Sequence, residues 1–150
     1  MHDMASCQDV IESYFVESCA CHKVRMAARA VTRAYDEALR PVGLRATQLA
    51  VLVAIAVEGA MSITALAKFM IMDRSTLTRN LRPLEEEGLV AVGLEGWRRS
   101  RTLEVTEKGR SRLGEALPLW KQAQAALRRK LGEQNWAHIH SDLDQLIRAA

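Results

Sequence analysis

The hydrophobic period of this chain changes only once on each side of a short window, and that limits the folds open to it. From about residue 10 to residue 88 the apolar residues recur at intervals of three and four. "LVAVGLE" and "RTLEVT" then break the pattern. Both are short and rich in Val, Leu and Thr, and "GWRRS" joins them as a hairpin with a basic tip. From Thr106 onward the helical spacing returns. One hairpin among helices predicts a mainly α (α+β) chain.

The helical part divides further. A long helix is expected over about 10–39, ending at Pro41 and Gly43. A second begins near Thr47 and runs to Gly59. Ser62 caps a short third helix, "ITALAKFM", and Asp73 caps a fourth that Gly88 stops. Pro83 lies inside the fourth and is expected to bend it. After the hairpin, Leu113, Leu117, Trp120, Leu127 and Leu131 mark a helix that Pro118 should bend and Gly132 should end. Trp136, Ile139, Leu143, Leu146 and Ile147 mark the last.

The fourth helix, "DRSTLTRNLRPLEEEGLV", carries the functional signal. At about 100° per residue, Leu77, Leu81 and Leu84 fall within about 60° and form a core stripe. Arg74, Ser75, Thr78, Arg79 and Arg82 spread over roughly the next 140° of the wheel, and with Thr76 they are the residues such a helix would present. Two short helices joined by a tight turn make a helix-turn-helix, whose second helix enters the major groove of DNA. Arg98, Arg99 and Arg101 at the hairpin tip add a second basic surface, suited to the neighbouring minor groove. The partner these surfaces imply is double-stranded DNA. A helical protein-interaction module is the alternative from another class, but it leaves the arginine placement without a reason.

Composition agrees without deciding. The 150 residues, 49% hydrophobic, suit a single domain, and the net charge of +3 is modest. Asp3, Asp9, Glu12 and Glu17 precede any Lys or Arg, which is unlike a signal peptide, and no stretch reaches the roughly 20 apolar residues of a membrane span. A cytoplasmic location is expected. No glycine-rich phosphate loop, His-Glu metal motif or nucleophile elbow points to an enzyme, a metal or a cofactor. The long terminal helices carry more apolar surface than so small a reading domain can cover, which favours a homodimer on a pseudo-palindrome with half-sites about 10 base pairs apart.

The order of elements, with "DRSTLTRNLRPLEEEGLV" and "WRRSRTLEVTEKG", resembles the multiple-antibiotic-resistance-regulator (MarR) family of winged-helix transcription factors, from about Cys21 to Leu131. The family's wing pattern is Asp-x-Arg, five residues, then Leu-Thr-x-x-Gly. Arg99, Thr106 and Gly109 are in register, Val105 replaces the leucine and Trp97 stands in the aspartate's place. The resemblance implies one MarR-like domain over 1–150. About 46–106 would be the winged helix-turn-helix, reading DNA with helix 73–88 and wing 93–103. About 10–42 and 107–150 would be interlocked dimerisation helices, and repression released by a signal would be the activity.

Two signals are candidates. Cys19 and Cys21 would lie about 200° apart on a helix, which is weak geometry for one metal. Arg25 follows Cys21 by one turn, and a nearby cation favours a reactive thiolate. The hydroperoxide-sensing branch of the family has a reactive cysteine followed fourteen residues later by a tyrosine that hydrogen-bonds it. Cys21 and Tyr35 match that spacing, with Ala27, Ala28, Arg29 and Thr32 similar between them, although Arg25 replaces a second tyrosine. The other signal is a small aromatic acid or phenol between the dimerisation helices and the winged part, its carboxylate paired by His22, Arg29 or Arg33.

Overall fold

The computed structural model describes residues 8–9, 11–94 and 101–150. The first helical region is divided. A π-helical stretch spans Ile11–Glu17, and α1 begins only at Ala20 and runs to Leu39. Ser18 and Cys19 separate them, and Cys19 is extended, with φ −71° and ψ 108°. This corrects the expectation of one continuous helix, and both residues have poor helix propensity. Cys19 therefore lies outside the helix, so a helical angle between it and Cys21 has no meaning.

A 3₁₀ turn, Arg40–Val42, leads to α2, Ala46–Glu58. Asp36 of α1 accepts a hydrogen bond from the Ala46 N–H at 2.7 Å, capping α2 from the preceding helix. Next come β1, Met61–Ser62; α3, Ile63–Phe69; and α4, Arg74–Glu86. Strands β2, Val90–Leu94, and β3, Arg101–Val105, precede α5, Glu107–Leu131, and α6, Glu133–Ala149. The sheet is antiparallel in the order β1-β3-β2, with Met61 opposite Leu103 and Val90 opposite Val105. Ser62 thus closes a strand and caps α3 at once, accepting from Ala65 N–H at 3.1 Å.

Pro83 and Pro118 both lie in uninterrupted helices. Pro83 forfeits only the bond to the Arg79 carbonyl, on an exposed turn three residues from the helix end, so α4 continues through it. The end itself is a Schellman motif. Gly88, at φ 71°, donates to the Glu85 carbonyl, Leu89 donates to Leu84, and both leucines are fully buried.

Every buried hydrophobic side chain among the described residues falls between Leu39 and Ala116. Leu77, Leu81 and Leu84 of α4 pack there with Leu52 and Ile55 of α2, Leu66 of α3 and Leu103 of β3. The terminal helices contribute little to this core. α6 has no buried residue, and Ile139, Leu143, Leu146 and Ile147 are 38–58% exposed. Among the described residues, no single helix is long and apolar enough to cross a membrane.

Candidate nucleic-acid interface

Helix α4 starts at a crowded cap. Asp73 accepts from the Thr76 N–H at 2.8 Å and from the hydroxyls of Ser75 and Thr76. Those bonds, the Ser75 hydroxyl first, hold its carboxyl well below the usual carboxylate range. Thr78 donates its hydroxyl to the Arg74 carbonyl at 2.8 Å. All three hydroxyl hydrogens expected to face DNA are thus already used within the helix.

The arginines differ from one another. Arg82 pairs with Glu86 one turn onward at 2.8 Å, with both side chains exposed. The side chains of Arg74 and Arg79 are exposed, and their guanidinium groups have no hydrogen bond or ion pair among the described residues. One surface of α4 therefore carries two unengaged guanidinium groups and a third tethered by a carboxylate. A helix with donors of this kind, standing clear of the core that grips its other side, can bind phosphates and the O6/N7 edge of guanine.

The hairpin is seated by its base. Thr106 donates its hydroxyl to the Gly88 carbonyl at 2.7 Å and accepts from the Gly109 N–H at 3.0 Å, so it joins the end of α4 to the start of α5. A Cβ at Gly109 would come within 2.1 Å of the Leu89 carbonyl oxygen, which no side chain tolerates. This close approach is the physical content of the Thr-x-x-Gly pattern. Arg101 opens β3 opposite Leu94, whereas Trp97, Arg98 and Arg99 lie outside the described residues.

The residues of the two candidate signal sites are placed less simply. Cys21 is exposed in the first turn of α1, with Arg25 exposed one turn on. Tyr35 sits fourteen residues along the same helix, about 21 Å away by helical rise, so one protomer does not bring them together. The Tyr35 hydroxyl instead donates to the Gln124 side-chain oxygen of α5, and burial pushes its phenol up, keeping it a donor.

Tyr35 lines a cavity of about 380 Å³ between α1, α2 and α5, with Val31, Thr32, Leu49, Leu117 and Trp120 around it. Arg29, Arg33 and His22 do not line it. Both arginines are exposed on α1, and His22 rests against Phe15 with ring centroids 5.3 Å apart. Sequence periodicity had no means of finding this cavity, because its walls come from three helices distant in the chain.

The MarR family profile matches residues 44–92. The transcriptional regulator MosR of M. tuberculosis, solved in complex with DNA, is 39% identical. The match covers 88% of this chain and 96% of that one, with a TM-score of 0.79. A mutant of E. coli MarR complexed with operator DNA is 20% identical, with 91% and 97% covered and a TM-score of 0.80. BpsR of Bordetella bronchiseptica, whose DNA binding is regulated by 6-hydroxynicotinic acid, is 23% identical, with 90% and 98% covered and a TM-score of 0.80. No curated protein sequence matches.

Proposed function

This chain belongs to the MarR family of DNA-binding transcriptional regulators, and on that premise we propose that it is a homodimeric repressor of a pseudo-palindromic operator. In this reading α4 enters the major groove and wing 93–103 the adjacent minor groove. The observation that carries it is the pair of unengaged guanidinium groups, Arg74 and Arg79, on the exposed side of the second helix of a helix-turn-helix. Arg79 reads a guanine, Arg74 and Arg82 hold phosphates, and Arg98, Arg99 and Arg101 follow the backbone and minor groove. Ser75, Thr76 and Thr78, their hydrogens used, offer oxygen lone pairs to DNA and stiffen the end of the helix.

The dimer follows from the uncovered apolar side of α6 and from a core that stops at Ala116. Exposed aliphatic rows of this size favour burial against a second copy.

Arg79→Ala tests the DNA reading. Its operator affinity should fall by about 1–3 kcal/mol, the worth of one bidentate base contact, with a smaller loss on random duplex. Equal losses would reassign Arg79 to phosphate. Arg99→Ala should weaken both duplexes and reduce the slope of log affinity against log salt by about one.

Release by a small effector in the Tyr35 cavity is the gate that the geometry favours, because the cavity lies where the terminal helices meet the reading domain. Among the described residues its lining carries no cation, and burying an unpaired carboxylate there would cost several kcal/mol. A neutral phenol therefore fits better than an aromatic acid. Oxidation of Cys21 is the second reading, favoured by that thiol's exposure. Organic hydroperoxide should then free the operator from wild type and not from Cys21→Ser, whereas a neutral phenol would act on both.

A further inference from the structure

Arg112 joins three parts of the protomer at one point. It stands on α5, and its Nη1 donates to the Val42 carbonyl at 2.9 Å and to Glu87 Oε2 at 3.3 Å. Val42 closes the turn leaving α1, where Gly43, at φ 67°, reverses the chain. Glu87 is the last residue before the Gly88 stop of α4. The same end of α4 is tied to the base of α5 twice more. Lys108 Nζ donates to the Glu87 carbonyl at 2.7 Å, and the Thr106 hydroxyl to that of Gly88.

This ion pair also differs in its surroundings. The side chains of Arg112 and Glu87 are 22% and 42% exposed, whereas those of the Arg82–Glu86 pair are 80% and 61% exposed. Solvent screens an exposed pair of neighbours on one helix and leaves it little effect, whereas a bridge between separate elements whose arginine is largely covered and also bonded to a backbone carbonyl holds direction.

The helix it anchors needs a direction. Apolar packing of Leu77, Leu81 and Leu84 sets how deep α4 lies, but such contacts are non-directional. The reading end of α4 is about 20 Å from the anchored end by helical rise. A small rotation at Glu87 is therefore a large displacement at Arg74. In a dimer the two reading ends must fall about one DNA turn, roughly 34 Å, apart.

We propose that Arg112 is a positioning residue that fixes the angle of α4 against the α1–α5 frame, and so sets the half-site spacing the protein accepts. The assignment rests on the dimeric reading above. Without the Arg112 bridge each α4 still fits one half-site, but the pair no longer matches both together.

Fluorescence anisotropy tests this with an operator duplex that wild type selects from a random pool. Its single half-site and versions with one base pair added or removed between half-sites complete the set. Arg112→Met should lose about tenfold on the full operator, the scale of one charge-assisted hydrogen bond. It should keep wild-type affinity for the half-site and lose the preference for the native spacing. Glu87→Gln, which spares the Val42 bond, should show the same pattern more weakly, and Arg112→Lys should fall between Arg112→Met and wild type. Equal loss on full operator and half-site overturns the assignment, as does an unchanged spacing preference. If circular dichroism shows Arg112→Met unfolded, Glu87→Gln decides by the same criteria. A wild type that binds the full operator no better than a half-site removes the dimeric reading, and the assignment with it.

Discussion

Ile71 sits between the two helices of the helix-turn-helix with φ at 52°, a left-handed conformation that a β-branched residue rarely adopts. It is the αL residue of a Schellman turn, with Ile71 N–H donating to Lys68 and Met72 N–H to Ala67. Its side chain is 76% exposed, so little packing offsets the strain. Ile71→Gly removes an αL cost of about 1–2 kcal/mol, part of which glycine returns by loosening the unfolded chain. The midpoint of thermal unfolding should rise; a lower one would show that the isoleucine side chain makes a contact of value. Gly109 is the converse. Gly109→Ala forces a methyl into the Leu89 carbonyl and should cost at least about 2 kcal/mol, measured by urea unfolding. Gly109 was legible as part of a motif, whereas Ile71 gave no signal, because a turn that usually announces itself by glycine is here occupied by isoleucine.

Helix α4 was legible nearly to its ends. Its cap, apolar stripe and terminator are local features, and local features survive in sequence. What its side chains do was less so: the hydroxyls of Ser75, Thr76 and Thr78 turn back on the helix, a choice set by atomic geometry. The Ser18–Cys19 break and the short β1 also escaped. The first is two residues of weak propensity within a helical run, and the second exists only because β3 pairs with it. The Asp73 cap carries a pH dependence. Its carboxyl is depressed in the folded chain, so the cap's contribution is complete above the unfolded value of about 3.9 and is lost as pH falls below it. Hydrogen exchange should show the first turn of α4 losing protection progressively as the pH is lowered below about 4. Asp73→Ala should show an already open turn with no such acid step.

At the scale of the whole molecule, the proposed dimer rests on the terminal helices. Among the described residues, those from 39 to 116 form a core with no buried polar side chain, while the rows on α6 remain exposed. Deleting residues 133–150 should therefore leave that core folded and remove dimerisation and operator binding together. Loss of operator binding by a truncated chain that still sediments as a dimer would place the DNA defect elsewhere. The direct test of the dimeric reading is sedimentation equilibrium of the intact chain, alone and with the selected operator duplex. The expected result is a dimer in both cases, with two chains per duplex. A monomer that binds the full palindrome tightly, one chain per duplex, would contradict it.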